Sequence, residues 1–199
     1  MIQIILSCLI LTASPGFSAV SPSDEDLVLA GDTINFNSNQ GSIVRTKRYW
    51  DLSITGPGFF VLQDAETSDS FYTHLGQFEM DREGYVVLSK HPNLRLVLNA
   101  KSHPRTLNMV KWAHFQNSSL VGLGVDSDDK VGEITAVYDS GETVPLGTVY
   151  LARFYNSGKL VEAAPHIYLA KGDALPVLLG RSTENGFGRI AHQTLEKLD

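Results

Sequence analysis

The residues of this chain that could perform chemistry are few and widely spaced. The acidic residues Asp126, Asp128 and Asp129 resemble the start of a calcium-binding loop. Such a loop needs glycine at its sixth position and glutamate at its twelfth, where this chain has Val131 and Val137. The acidic run therefore predicts a solvated turn rather than a cation site.

The histidines show no spacing that is typical of a metal site or a catalytic pair. We expect them to be isolated surface or turn residues: His74, His91, His103, His114, His166 and His192. No nucleophile elbow, phosphate-binding loop or Cys–His pair occurs, and the single cysteine, Cys8, excludes a disulfide. We therefore expect no catalytic residues, no metal and no cofactor.

Aromatic residues offer the candidates for contact with a partner. Tyr49 and Trp50 form a pair that is predicted either to pack in the core or to lie in an exposed patch, and Trp112 is a third candidate. With 43% hydrophobic and 19% charged residues, the composition is that of an ordinary globular chain. The net charge of −6 argues against a nucleic-acid surface, which needs clustered Lys and Arg.

The first 39 residues are predicted to precede the folded domain. Residues 1–19 have the layout of a cleavable secretory signal, because the apolar run Ile4–Ala13 is shorter than the roughly 20 residues that span a membrane. Residues 20–39 are a predicted lead-in segment with a short strand at Leu27–Phe36. Residues 40–199 are a predicted single domain. We expect a periplasmic or secreted protein without a membrane span.

The remaining candidates depend on strands for their position. Turn residues recur every few positions through Asp51–Val87, which predicts a run of β-hairpins. Further predicted strands are Glu133–Tyr138 and a single strand Leu146–Phe154. A turn is predicted at His91–Asn93, whereas Leu107–Phe115 fits neither the helical nor the strand period. The fold class predicted is all-β: a compact sandwich or partly closed barrel of short hairpins.

Spaced residues in two regions carry a resemblance to a known family. The first region runs Leu52-x-Ile54-x-Gly56-x-Gly58-Phe59-Phe60, then Tyr72-Thr73-x-x-Gly76-x-Phe78-x-x-Asp81-x-x-Gly84. The second includes Ala152, Phe154 and Asn156. Together they resemble the core β domain of bacterial flagellar hook and basal-body rod proteins. The resemblance extends from Gln40 to Glu196. Because no phosphate-loop helix follows Gly56, Gly58, Gly76 or Gly84, we expect these glycines to serve backbone geometry rather than ligand contact.

The resemblance implies a non-enzymatic structural or accessory role in the flagellar basal body and in motility. Proteins of that family begin and end with helices that pack into the inner tube, and this chain carries neither pattern. We therefore expect the β domain alone, a periplasmic protein that binds rod, ring or hook components. Two alternatives stay open: a secreted carbohydrate- or peptidoglycan-binding module that uses the same aromatic residues, and a periplasmic hydrolase with a site assembled by folding.

Overall fold

A computed structural model describes residues 40–100, 103–125, 132–154, 156–172 and 177–198. The predicted secretory signal, the lead-in segment with its strand and the acidic run at 126–129 lie outside these residues. The resemblance-bearing positions all lie within them. The outcome of the sequence predictions is therefore reported for the described part of the chain.

Eighteen β-strands and two short 3₁₀ turns make up the regular structure of the described residues. In chain order the strands are β1 (Ser42–Arg45), β2 (Leu52–Thr55), β3 (Phe59–Asp64), β4 (Ser70–Thr73), β5 (Phe78–Met80), β6 (Val86–Leu88), β7 (His91–Ala100), β8 (His103–Thr106), β9 (His114–Phe115), β10 (Ser118–Val125), β11 (Glu133–Tyr138), β12 (Thr143–Thr148), β13 (Tyr150–Phe154), β14 (Val161–Ala164), β15 (Ile167–Leu169), β16 (Val177–Arg181), β17 (Arg189–His192) and β18 (Thr194–Lys197). The 3₁₀ turns are Val110–Trp112 and Ser157–Lys159.

The strands pair in an antiparallel manner in one large sheet and two small ones. The 14-stranded sheet follows the order β14-β15-β4-β3-β7-β12-β11-β10-β9. Off this path, β13 pairs with β3 and β16 pairs with β13, whereas β6 and β8 pair with β7 and β5 pairs with β6. Strands β1 and β18 form one two-stranded sheet, and β2 and β17 form the other. The all-β prediction is confirmed. The sheets pack as in a sandwich, and the described strands do not close into a barrel.

Strand β3 shows how the sequence pattern produces two apolar clusters. Phe60 and Leu62 are fully buried in the main core, whereas Val61 belongs to a second cluster with Tyr72 and Phe154. Successive side chains of a strand point to opposite faces of its sheet, so the two clusters lie on opposite faces of β3. The continuous apolar run of this strand therefore reflects burial on both faces.

The turn predicted at His91–Asn93 is wrong by two residues. Strands β6 and β7 pair Leu88 with His91, which leaves Ser89 and Lys90 as a two-residue hairpin loop. The register then shifts, because the next pair is Val87 with Arg95. Pro92 lies in the bulge between these pairs. Proline is tolerated at a bulge because its missing N–H is not needed there for a hydrogen bond to the neighbouring strand.

The predicted single strand Leu146–Phe154 is also wrong, because the chain changes neighbours in its middle. Strand β12 ends at Thr148 against β11, and β13 begins at Tyr150 against β3 and β16. Between them the backbone N–H of Val149 donates to the carbonyl of Gly132 at 3.0 Å. The ambiguous segment Leu107–Phe115 forms a 3₁₀ turn followed by the short strand β9.

Candidate functional site

The two signature regions meet in the sheet rather than forming separate patches. Strand β13 pairs with β3, and Ala152 lies opposite Phe59 in that pairing. The ring of Phe154 contacts Phe59 at 5.7 Å and Tyr72 at 4.8 Å between ring centroids, both edge-to-face. Edge-to-face aromatic pairs contribute about 0.5–1.5 kcal/mol beyond the area that they bury. Residues that are far apart in the sequence therefore form one framework.

The first signature region pairs with itself across β3 and β4. Phe60 lies opposite Thr73 in this pairing, and the Phe60 ring packs edge-to-face on Phe78 at 5.5 Å. Both phenylalanines are fully buried in the main core. Gly56 and Gly58 lie in the short loop between β2 and β3. Phe60 and Phe78 thus belong to the core, and the two glycines precede strand β3.

Thr73 fixes the end of strand β4 through its hydroxyl group. The side chain is fully buried, and its Oγ1 donates to the carbonyl of His166 at 2.7 Å. The same oxygen accepts a hydrogen bond from the backbone N–H of Leu75 at 2.9 Å. One hydroxyl thus satisfies two backbone groups on two segments of the chain, which identifies its role as structural.

Gly76 is required by a close approach of two backbone segments. The N–H of Leu52 donates to the carbonyl of Gly76 at 2.9 Å, so the two segments run side by side. A Cβ atom built on Gly76 would lie 1.7 Å from the carbonyl oxygen of Leu52, a distance that no side chain tolerates. The close approach of Leu52 therefore leaves no room for a side chain at position 76.

Asp81 and Gly84 form the tight turn between β5 and β6. The Asp81 carboxylate accepts hydrogen bonds from the backbone N–H groups of Glu83 at 2.9 Å and Tyr85 at 2.8 Å. Gly84 has a φ of 84°, in the left-handed region that glycine occupies without strain. The aspartate therefore organises a turn, as aspartates at such positions commonly do.

Asn156 is the signature residue with the least structural support. It is exposed and precedes the second 3₁₀ turn, and its side chain makes no capping hydrogen bond there. Its carbonyl accepts from the backbone N–H of Lys159 at 3.1 Å. The described contacts of Asn156 thus come from its backbone, so nothing about the turn requires asparagine at this position.

The three aromatic candidates for partner contact lie in different environments. Tyr49 is 38% exposed, whereas Trp50 is half-buried and packs against the main core. Trp112 also packs against the main core, and its carbonyl accepts from the hydroxyl of Tyr138 at 2.8 Å. Of the Tyr49–Trp50 pair, Tyr49 is exposed and Trp50 serves the core.

His74 and Glu196 form a buried pair that the sequence prediction did not contain. His74 Nδ1 lies 3.0 Å from Glu196 Oε2, and the side chains are 9% and 0% exposed. The other carboxylate oxygen, Oε1, accepts from the backbone N–H of Gly41 at 2.6 Å. The prediction that His74 is isolated is therefore wrong. The two residues are 122 positions apart, so no local pattern could link them.

This pair joins three parts of the chain at one point. Glu196 lies on β18, Gly41 precedes β1, and His74 follows β4; the imidazole also packs edge-to-face on Phe59 at 4.4 Å. The pair therefore fastens the two-stranded β1–β18 sheet to the signature framework. A buried charge that loses its partner is strongly destabilising, so this connection is sensitive to substitution.

Shifted pKa values at the described residues have structural causes. Backbone N–H groups of Thr67 and Glu66 donate to Asp64 and lower the pKa of its carboxyl. Burial raises the pKa of the Tyr72 hydroxyl. Among the described residues, no group of three or more His, Cys, Asp and Glu side chains lies close enough to hold a metal ion. The two shifts follow from the hydrogen bonds of a loop and from burial in an apolar cluster.

No helix in the described part of the chain is long and apolar enough to cross a membrane. A comparison with models of known protein families finds no match, and a search of curated proteins finds no similar sequence. The resemblance to flagellar hook and rod proteins therefore depends on the spaced residues and on where the fold brings them together.

Proposed function

We propose that this chain is a non-enzymatic structural or accessory protein of the bacterial flagellar basal body, and that it acts through protein–protein contacts in motility. The observation that supports the proposal best is the pairing of the two signature regions, in which Ala152 lies opposite Phe59. A chain that shares the fold of a family should bring that family's two motifs into contact, and these two motifs are in contact.

The structural roles of the signature residues also support the proposal. Thr73, Gly76 and Asp81 satisfy or accommodate backbone groups, and they do not converge on a cavity with reactive side chains. A framework of this kind suits a protein that presents loops and strand edges to partners. On this proposal the chain is secreted to the periplasm and binds basal-body proteins there.

The carbohydrate-binding alternative receives less support from the aromatic residues. Sugar rings stack on exposed aromatic faces, and Trp50 is committed to the main core. Tyr49 precedes β2 and Trp112 lies in a 3₁₀ turn beside Tyr138, so the two occupy different elements. A binding assay with peptidoglycan fragments and soluble glycans tests this alternative directly.

The test of the proposed function is affinity purification of the tagged chain from periplasm and from isolated basal bodies. We expect co-purification with rod, ring or hook components and a swimming defect in the deletion strain. A tagged periplasmic protein of similar size and charge controls for adhesion to the particles. Normal swimming and no flagellar partner would refute the proposal and direct attention to the glycan assay.

A further inference from the structure

Five strands of the 14-stranded sheet have a described neighbour on one side only: β5, β8, β9, β14 and β16. An open strand edge presents unpaired backbone N–H and C=O groups, which recruit other chains. Proteins that do not use such an edge blunt it with charges, prolines, bulges or short strands. The five edges differ in whether they carry such protection.

Four of the five edges are blunted. Strand β14 has four residues, contains Glu162, and has a register shift against β15. Strand β8 contains Pro104 and Arg105. Strand β5 has three residues, and the guanidinium of Arg48 donates to the carbonyl of Phe78 at 3.0 Å. Strand β9 has two residues, which is too short to hold a partner strand.

Strand β16 has no proline, register shift or charged residue in its interior, and its one charged residue, Arg181, ends the strand. Its five residues pair with β13 without a register shift, from Tyr150 opposite Arg181 to Phe154 opposite Val177. The interior residues Leu178 and Leu179 are uncharged and half-buried, and no proline or bulge interrupts the strand. Among the five edges, that of β16 is therefore the one best suited to pair with another chain.

The charges beside this edge indicate what it accepts. Arg181 ends the strand with 52% of its side chain exposed, and Arg153 lies opposite Leu178 on β13. Glu184, 3.7 Å from Arg181, is the acidic residue of the intervening turn. The edge is thus locally basic on a chain whose net charge is −6.

We propose that the free edge of β16 receives an extended segment of a second protein, with apolar side chains at alternate positions and an acidic side chain beside Arg181. This inference rests on the proposed function and names its contact surface. Main-chain hydrogen bonds supply affinity in strand addition, and side chains supply specificity. A second copy of this chain fits less well, because it would bring the same arginines to the contact.

The experiment places the photoreactive residue benzoylphenylalanine at position 178 of the full chain and adds purified hook–basal bodies as the probe. The matched control carries it at Val161, on the blunted edge of β14, where the side chain is 47% exposed. After irradiation, mass spectrometry identifies the attached peptide. We expect a crosslink from position 178, and not from 161, to an acidic, alternating apolar segment of a basal-body protein.

Two substitutions quantify the contact. Leu178→Glu places a charge against the expected apolar side chains of the partner, and Arg181→Glu places an acidic group beside the partner's expected acidic group. Each should lower capture on basal bodies at least tenfold. Val161→Glu should leave capture unchanged. Circular dichroism and a thermal melt establish that each variant is folded. Unchanged capture by both edge variants would overturn the proposal.

The other outcomes separate the two proposals. A crosslink from position 178 to a second copy, or to residues of the same chain, overturns the assignment of the edge to a partner protein. Capture on basal bodies without any crosslink from position 178 overturns it too, but leaves the proposed function intact. Failure of the chain to bind basal bodies at all overturns the proposed function and this inference with it.

Discussion

The Thr73→Val substitution removes two hydrogen bonds and keeps the size and branching of the side chain. The hydroxyl of Thr73 donates to the carbonyl of His166 and accepts from the N–H of Leu75. Valine leaves both backbone groups without this partner. An unsatisfied buried polar group costs about 1–3 kcal/mol. His166 and Leu75 are only half-buried, so water reaches them in part and the lower end of that range applies to each.

The expected loss is therefore about 2 kcal/mol in the free energy of unfolding. Thr73→Ser is the matched control, because it keeps the hydroxyl and removes one methyl group, at a cost of about 0.8 kcal/mol. Urea unfolding, followed by the fluorescence of Trp50 and Trp112, measures both variants. A valine variant as stable as the serine variant would refute the assignment of Thr73 to backbone satisfaction.

Three further substitutions test other parts of the framework. Gly76→Ala should lower the free energy of unfolding by about 3 kcal/mol, because its Cβ would overlap rigid backbone. Gly158→Ala is the control: its Cβ would lie 3.6 Å from its nearest neighbour, so the same urea titration should show little change. Glu196→Ala should lower the free energy of unfolding by about 3 kcal/mol, because it leaves the buried His74 without its partner. A variant that melts at the same temperature as the wild type would refute this prediction. Asp64→Ala should be less stable than wild type at neutral pH. The folded state lowers the Asp64 pKa from its ordinary value of 3.8, so this carboxylate's contribution is fully present above 3.8 and is lost as the pH falls through the lower folded value. Melts between pH 7 and pH 2 should show the two proteins converge at the acidic end, and a constant gap would contradict the assignment.

Strands with local punctuation could be predicted from the sequence. The prediction of a strand at Glu133–Tyr138 is confirmed by strand β11, which is rich in β-branched and apolar residues and is followed by the turn at 139–142. The fold class follows from the same kind of signal, repeated along the chain. Local alternation and turn residues carry this information because they act within a few positions.

Features that depend on a change of neighbour could not be predicted. Val149 continues an apolar run, so nothing local marks the point where β12 gives way to β13. The two-residue loop at Ser89–Lys90 has no glycine or proline, so nothing local marks it as a turn. The turn was predicted two residues later, at Pro92, because proline is a common turn residue. In both places the sheet partners, which are distant in sequence, determine where a strand ends.

The candidate site was predictable in part. The signature positions were identified from the sequence, and the fold gives most of them roles in the core or in turns. The His74–Glu196 pair and the open edge of β16 were not identified. The first joins residues 122 positions apart, and the second depends on which strand lies at the border of the sheet. Neither feature can be predicted from a short stretch of the sequence.

Co-sedimentation of the purified full chain with isolated hook–basal bodies tests the proposal that this chain binds the flagellar basal body. We predict saturable binding to the particles, with binding of the Arg181→Glu variant reduced at least tenfold and binding of the Val161→Glu variant unchanged. A wild-type chain that stays in the supernatant at every concentration of particles would contradict the proposed function.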